Sequence, residues 1–346
     1  MAYVLWVNRN RGLRRRDRIF RDRENPLDYE SDDCIVRKYR LSRPLIISLC
    51  QMFLLNLQRP TLRSSAFPVS LQIMVALRYY ATGSFQSVIG DVHHISRQSV
   101  SYILQDVTEC LNNVAKQYIY MPTNEDHLNK IKRDFHDIAR FPNTVGAIDC
   151  THVMIKSPSI DEHLYVNRKN FHSINIQGVC DAELKFLNII AKWPGSTHDS
   201  FIWNNCALKE MFEDGTISDG WLLGDSAYPL RPWLLTPVLN PDTPSEARYN
   251  DSHIRTRNTI ERAFGVLKSR FRCIDSSGGT LLYTPKKACK IAVATAVLHN
   301  MCIESNVPLP DGCNPLDNGR IRVQYAGQQL NDGARVRERL INGRFL

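Results

Sequence analysis

Residues 257–268 read Arg257-Asn-Thr-Ile-Glu261-Arg-Ala-Phe-Gly-Val-Leu-Lys268 and have the periodicity of an amphipathic helix. At about 100° per residue, Arg257 and Glu261 lie one turn apart, and Lys268 returns to the same side. The opposite side is apolar at the i, i+3, i+4, i+7 spacing of a helix that packs on a core, through Ile260, Ala263, Phe264 and Leu267. The segment therefore predicts a helix that holds Glu261 at the edge of a hydrophobic core.

Two aspartates earlier in the chain are candidate partners for Glu261. Each follows an apolar, strand-like run, in Val145-Gly-Ala-Ile-Asp149 and in Trp221-Leu-Leu-Gly-Asp225. Three carboxylates brought together from separate elements would form a site for hard divalent cations. There are simpler alternatives. An aspartate after a strand is commonly a turn or cap residue, and Arg257 with Glu261 matches an i, i+4 ion pair worth about 0.2–0.5 kcal/mol.

The region from about 141 to 305 alternates between strand and helix signals. The first strand covers residues 144–149 and continues at 152–156, and a hairpin follows in which residues 172–181 pair with 185–192. Next come a helix over 198–213, the strand that ends at Asp225 and the late helix that carries Glu261. The Pro-rich stretch 228–250 is predicted to be a loop before the late helix. This order predicts an α/β domain with a mixed sheet flanked by helices.

Residues 31–140 carry mainly helix signals. Within them, a short helix over 84–94 and a longer helix capped by Ser96 and running to about Leu111 have the spacing of a helix-turn-helix. In that motif the first residues of the second helix contact DNA, here Arg97, Gln98 and Ser101. A small helical bundle that never binds DNA shows similar spacing, so plain packing is the alternative role of this segment.

Composition favours a nucleic acid partner. The chain has 346 residues, a formal net charge of +9 and a pI near 9.1, which suits a polyanion. Residues 1–30 form an Arg-dense arm, either a nuclear-import or DNA-binding segment or a solvated tail.

Ten cysteines without a CxxC pair favour buried thiols such as Cys180 and Cys302 over a zinc finger. No apolar run approaches the roughly 18 residues that span a membrane, so we expect a soluble intracellular protein.

Six motifs in order resemble the nuclease domain of PIF/Harbinger transposases and of the nucleases derived from them. They span residues 145–303 and are Gly-Ala-Ile-Asp149-Cys-Thr-His, Tyr-Val-Asn-Arg-Lys-Asn-Phe-His-Ser-Ile-Asn, Trp-Pro-Gly-Ser-Thr-His-Asp199-Ser, Leu-Leu-Gly-Asp225-Ser-Ala-Tyr-Pro, the segment around Glu261 and Val-Leu-His-Asn-Met. The resemblance implies an RNase H-like DDE nuclease domain over 141–305. It would follow the helical domain over 31–140 and precede a tail over 306–346 with a short helix.

The resemblance also implies the roles of four acids. It places the family's catalytic DDE triad on Asp149, Asp225 and Glu261, and a fourth metal ligand on Asp199. These acids would bind Mg²⁺, or Mn²⁺ in its place, for in-line phosphoryl transfer. The chain departs from the wider group of bacterial insertion-sequence transposases at Ile254, where they have a tyrosine before the matching Arg257, Glu261 and Lys268.

The implied activity is cleavage of DNA at terminal inverted repeats and transfer of the freed 3′ ends to a target. Side chains from both halves of the chain are predicted to contact the DNA: Arg97, Gln98, Lys156, Arg168, Lys169, Arg257, Arg262 and Lys268. The resemblance further implies a Myb-like DNA-binding partner and a homodimer or larger assembly that holds two DNA ends. It also implies a location in the nucleus, or in the cytoplasm when the partner is lacking.

Two other functions fit the same residues. One is a domesticated nuclear protein that binds DNA or a Myb-like partner without strand transfer. The presence of Asp149, Asp225 and Glu261 favours activity over that alternative. The other is an RNase H-like enzyme that acts on RNA.

Overall fold

The structure is a computed structural model that describes residues 25–58, 66–309 and 331–346. Residues 1–30 and 31–346 form two separate units. Most of the Arg-dense arm lies outside the described residues. From the first unit the structure describes one helix, α1 (Pro26–Tyr29), which Asn25 caps. The predicted division of 31–346 into a helical domain, a nuclease domain and a tail stays a prediction.

The described residues up to 139 are helical, as predicted. The helices are α2 (Asp32–Tyr39), α3 (Arg43–Met52), α4 (Leu54–Leu57), α5 (Val69–Thr82), α6 (Gln86–His93), α7 (Arg97–Asn113), α8 (Ala115–Tyr118) and α9 (Glu125–Ala139). Side-chain caps begin several of them: the Ser31 hydroxyl accepts from the backbone of Cys34, and Asn124 does the same at the start of α9. These polar residues therefore fix where the helices start.

A mixed sheet of five strands organises the second half of the chain, and this confirms the predicted α/β layout. The strands are β1 (Thr144–Met154), β2 (Ser173–Cys180), β3 (Phe186–Pro194), β4 (Trp221–Leu223) and β5 (Leu234–Leu235). Their order is β3-β2-β1-β4-β5, in which β1, β2 and β3 are antiparallel neighbours while β4 and β5 run parallel to β1. The centre of the sheet is therefore β1, the strand that carries Asp149.

Helices follow and flank these strands. They are α10 (Glu162–Tyr165), α11 (Asp199–Asn204), α12 (Ala207–Glu213), α13 (Pro244–Arg270), α14 (Pro285–Glu304) and α15 (Asn331–Arg344). The single helix predicted over 198–213 is in fact α11 and α12, which break at Asn205 and Cys206. None of the helices in the described ranges is long and apolar enough to cross a membrane.

The prediction of a loop over 228–250 is wrong in two places. Strand β5 lies inside it, and at two residues it is too short to show any periodicity. Helix α13 also starts inside it, because Thr243 and Glu246 form a reciprocal capping box around Pro244. The sequence Thr-Pro-Ser-Glu contained that signal, and the result is a helix of 27 residues rather than a short one.

Helix α13 lies across β1 and β2 on its apolar side. Ile260, Ala263, Phe264 and Leu267 are all buried, which confirms the predicted helix face. Gly178, opposite Asp149 on β2, allows this close approach, since a Cβ there would lie 2.8 Å from Cζ of Phe264. The packing places the polar side of α13 over the middle of β1.

The helices α6 and α7 form a pair joined by three residues. His94 adopts a left-handed conformation that ends α6, and the Ser96 hydroxyl accepts a 3.1 Å hydrogen bond from the backbone of Ser99 to begin α7. The inward residues predicted for α7 are buried: Val100, Ile103, Leu104 and Val107. They pack α7 against α5 and α14. The geometry agrees with the predicted helices, whereas the DNA-binding role of the pair stays a prediction.

The C-terminal helix completes the core beside β5. Leu340, Ile341 and Phe345 are buried in one cluster with Phe141 and Tyr249. The ring of Phe345 lies 5.8 Å from Phe141 and 5.7 Å from Tyr249, measured between centroids. The end of the chain therefore stabilises the start of α13, which contains Tyr249.

We expect Phe345→Ala to lower the free energy of unfolding by about 3–5 kcal/mol, because it removes a buried ring from this cluster. The adjacent residue offers a control: Phe345 is 9% exposed and Leu346 is 83% exposed. Leu346→Ala should change stability by no more than about 0.5 kcal/mol. Chemical denaturation of both variants measures the difference. Equal stabilities would show that the end of the chain does not contribute to the core.

Candidate active site

Arg257 joins two of the predicted catalytic acids. Its Nη1 donates to Oδ2 of Asp149 at 3.2 Å, and its Nη2 donates to Oε1 of Glu261 at 2.5 Å. The Arg257 and Asp149 side chains are only 10% and 18% exposed, whereas Glu261 is 35% exposed. The acids from β1 and α13 therefore meet at one guanidinium, with Glu261 on the solvent side.

Asp225 lies close to this pair. Strand β4 runs parallel to β1, with Leu223 opposite Ala147. Asp225 is two residues beyond Leu223, just as Asp149 is two residues beyond Ala147, so the two aspartates lie at the same level of the sheet. Its Oδ1 accepts a 2.9 Å hydrogen bond from the backbone of Ala227. Burial raises the pKa of Asp225, and the negative charges of Asp199 and Glu261 add to this, while the Ala227 hydrogen bond and Arg257 oppose it.

Asp149 has the most perturbed carboxyl group of the site. Burial raises its pKa to about 7, and the charges of Asp225 and Asp199 contribute in the same direction. The positive charge of Arg257 and a hydrogen bond from the backbone of Cys150 oppose the shift. Because the charges of Arg257, Asp225 and Asp199 all act on the Asp149 carboxyl, these four side chains lie in one region.

Asp199 approaches β1 from the other face of the sheet. At the start of α11, its Oδ1 accepts a 3.0 Å hydrogen bond from Nδ2 of Asn175 on β2. Burial raises the pKa of the Cys150 thiol, and the next cause is the charge of Asp199. Because successive side chains of a strand point to opposite faces, Cys150 faces away from α13, on which Glu261 lies. Asp199 therefore lies on the opposite face of β1 from Glu261.

A metal site at these acids stays a prediction. Within residues 25–58, 66–309 and 331–346, no three Asp, Glu, His or Cys side chains are close enough together to hold one ion. Asp149 and Glu261 bind different nitrogens of the Arg257 guanidinium, which therefore joins the two carboxylates. The donors nevertheless suit a hard cation, because they are carboxylate oxygens that already bind a cation between them.

Comparison with known proteins gives the family. Residues 148–300 match the DDE superfamily endonuclease family. The human protein named "Putative nuclease HARBI1" is 41% identical over 80% of this chain and 80% of its own length. The chain belongs to the DDE superfamily endonucleases. The mouse protein of the same name is 38% identical over 92% of both chains, and "Protein ALP1-like" of Arabidopsis thaliana is 30% identical over 70% of this chain and 63% of its own length. No solved structure gives a significant match.

Lys268 of this DDE endonuclease forms hydrogen bonds with β1, the strand that carries Asp149. Its Nζ donates to Oγ1 of Thr151 at 2.7 Å and to the backbone oxygen of His152 at 3.0 Å. Burial lowers the pKa of Lys268 to about 8. Lys268 and Arg257 therefore connect α13 to β1 at two points, and the predicted contact of either side chain with DNA phosphate stays a prediction.

Two more predicted DNA contacts lie near Lys268. Arg168 and Lys169 are exposed, and Nη2 of Arg168 lies 3.2 Å from Nδ1 of His198. Burial lowers the pKa of His152; the charge of Asp199 opposes this, whereas those of Lys268, Lys169 and Arg168 add to it. The charges of all three cations, and that of Asp199, therefore act on His152.

The other predicted DNA contacts lie farther along the surface. Arg97 and Gln98 are exposed at the start of α7, and the charge of Arg97 acts on Tyr283. Lys156 is also exposed, and its backbone N–H donates to the oxygen of Leu281. Arg97 and Lys156 therefore border the same segment, 281–283. Arg262 is half-buried on α13, near Cys180.

Sequence reasoning missed the polar residues that support the acids. Asn175 binds Asp199 and the backbone oxygen of Thr197, and Tyr228 lies 3.4 Å from the thiol of Cys150. One signal was available. Every residue of β2 is buried, yet its sequence Ser-Ile-Asn-Ile-Gln-Gly-Val-Cys places polar side chains at alternate positions. Buried polar groups require partners, so these positions indicated a polar site on that face.

Proposed function

We propose that this chain is a metal-dependent DNA endonuclease with an RNase H-like catalytic domain, and that Asp149, Asp225 and Glu261 are its catalytic acids. The observation that carries the proposal is the shared binding of Arg257 by Asp149 and Glu261, beside Asp225. Two acids, from a central strand and a flanking helix, hold one cation between them, and the charge of that cation also acts on a third acid at a neighbouring strand end. Such a donor set suits Mg²⁺ or Mn²⁺.

Each side chain has a separate part in this proposal. Asp149, Asp225 and Glu261 would hold the divalent ions, with Asp149 contributed by the central strand of the sheet. Asp199 would complete the site from the opposite face of β1, where Asn175 orients its carboxylate. The ions would activate the attacking oxygen and stabilise the leaving oxygen of the phosphodiester.

The cations near His152 would hold the DNA backbone. The charges of Lys268, Lys169 and Arg168 act on His152, which is three residues after Asp149 on β1, so a phosphate bound there would be close to the acids. Lysine and arginine contacts of this kind position a nucleic acid without reading its sequence. The test of the proposed activity is Mg²⁺- or Mn²⁺-dependent cleavage of DNA that carries candidate inverted repeats, with the Asp149 variant described in the Discussion.

We expect Arg97→Ala to weaken DNA binding and to reduce the slope of log K against log salt by about one. Arg97 is exposed at the start of α7, where a helix-turn-helix would contact DNA. Arg133→Ala removes the same charge from an exposed position on α9 and is the control. Fluorescence anisotropy over a range of salt concentrations measures both slopes. Equal slopes for Arg97→Ala and wild type would indicate that this helix pair has a packing role.

We further propose that the chain acts as a transposase of PIF/Harbinger type in the nucleus, as a homodimer or larger assembly with a Myb-like partner protein. The support is the resemblance of the six motifs together with the presence of all three acids. A strand-transfer assay with pre-cleaved ends tests the step that follows cleavage. DNA binding without cleavage or transfer would instead support a domesticated DNA-binding or partner-binding protein.

A further inference from the structure

The Arg257 bridge, defined as the contacts of Arg257 with Asp149 and Glu261, involves oxygens that a divalent ion would also need. Nη1 takes Oδ2 of Asp149 and Nη2 takes Oε1 of Glu261, so both amino groups of one planar guanidinium are engaged. A guanidinium stays protonated throughout the physiological pH range and cannot leave by losing a proton. Loss of the arginine's own proton therefore cannot end the bridge, whereas a second cation that binds the same carboxylates can.

We propose that the Arg257 bridge is a latch that competes with divalent metal for Asp149 and Glu261 and opens when metal binds. This inference rests on the proposed metal-dependent function and concerns how the same site is loaded. A divalent ion would need the same oxygens of Asp149 and Glu261 that Arg257 engages, so the guanidinium would have to leave them. Release of Arg257 then provides a cation for a DNA phosphate beside the acids.

Arg257 has a third acceptor nearby, and its bridge reaches solvent on one side. Its Nη2 also lies 3.4 Å from Oδ1 of Asn258, a half-buried neighbour on α13. Glu261 is the more exposed of the two acids, so the bridge faces solvent on the Glu261 side. Asp225 and Asp199 add two negative charges that act on Asp149, and this excess of carboxylates favours a divalent ion over a single guanidinium. A divalent ion in place of the single charge of Arg257 would reduce the repulsion among these carboxylates.

The test measures Mn²⁺ affinity by isothermal titration calorimetry on the full chain without DNA. Arg257→Gln removes the charge and the bridge, and we expect it to bind Mn²⁺ at least tenfold more tightly than wild type. Arg257→Lys keeps the charge but lacks the planar fork that engages two carboxylates. We expect it to retain most of that gain. Arg255→Gln removes an exposed charge from the same helix, where Arg255 pairs with Asp251, and should bind Mn²⁺ within twofold of wild type.

Thermal unfolding gives a readout that does not depend on catalysis. In EDTA, Arg257→Gln should melt below wild type because its acids repel one another without a counterion. Saturating Mn²⁺ should remove the difference. Far-UV circular dichroism of each variant confirms that it is folded before titration.

The outcomes separate the latch from the function on which it rests. If wild type binds Mn²⁺ and Arg257→Gln binds it equally or more weakly, the latch is overturned and the nuclease proposal stands. If Arg257→Lys matches wild type while Arg257→Gln is tighter, Arg257 acts only as a nearby charge, and the latch is again overturned. If no folded variant binds Mn²⁺, both proposals fail.

Discussion

Asp149→Asn is expected to reduce metal-dependent DNA cleavage by roughly 1000-fold, since it removes one charge from the groups that would stabilise the transition state. Asp149 is on the central strand, contacts Arg257 and is affected by the charges of both Asp225 and Asp199. Asparagine has nearly the same shape, so the loss reports charge and ligand chemistry rather than packing.

Cleavage of labelled DNA in Mg²⁺ and in Mn²⁺ measures this effect. Asp225→Asn and Glu261→Gln should show losses of the same kind, because the three acids act as a unit. Asp219→Asn is the matched control: Asp219 is 74% exposed, near the start of β4, and binds Lys132 away from the acids. It should retain cleavage. Undiminished cutting by Asp149→Asn would show that the assignment of the active site is wrong.

The sequence predicted the elements of this site better than their arrangement. The apolar spacing of α13 and the aspartates after strand-like runs are local patterns, and periodicity identifies them before any tertiary contact is known. The sequence also indicated that Arg257 and Glu261 form a pair along the helix. It could not show that the same guanidinium reaches Asp149, because that contact depends on how closely α13 approaches β1, and Gly178 sets that approach.

The position of Asp199 is a second feature of the site that the sequence could not predict. Strand alternation predicts that Asp149 and Cys150 face opposite sides of the sheet. Whether Asp199 joins the first side or the second depends on the turn before α11 and on the hydrogen bond from Asn175, and both are tertiary features. The C-terminal helix is similar. Its Phe345 contacts Phe141 and Tyr249, far apart in sequence, so no local pattern marked it as part of the core.

The same Asp149→Asn variant is expected to be more stable than wild type at pH 8 in EDTA, by roughly 2–4 kcal/mol. The cause is burial, which raises the pKa of the Asp149 carboxyl from 3.8 to about 7 despite the opposing charge of Arg257. At pH 8 the folded wild type therefore holds an ionised carboxylate in an environment that disfavours its charge. The asparagine amide has no charge, while Arg257 keeps its contact with Glu261.

The pH dependence fixes the sign of this effect. Well below pH 3.8, the Asp149 carboxyl is protonated in both the folded and the unfolded chain, so its ionisation contributes nothing to the difference between the variants. As the pH rises towards 7, the unfolded chain releases its proton while the folded chain keeps it, and wild type loses stability relative to Asp149→Asn. Above pH 7 both states are ionised and the difference becomes constant. Denaturant midpoints from pH 4 to pH 8 measure the curve.

Asp219→Asn should behave in the opposite way, because the Lys132 hydrogen bond lowers the pKa of Asp219 and its charge favours the folded state. Its loss of stability should be present at pH 8 and should diminish as the pH falls through the lowered pKa of Asp219 in the folded chain. An acid with a structural role is expected to show the pH dependence of Asp219. Asp149 is expected to make the protein less stable and catalysis faster, a combination that selection maintains at active sites. If Asp149→Asn instead destabilises the protein at pH 8, the ion pair with Arg257 outweighs burial, and Asp149 has a structural role.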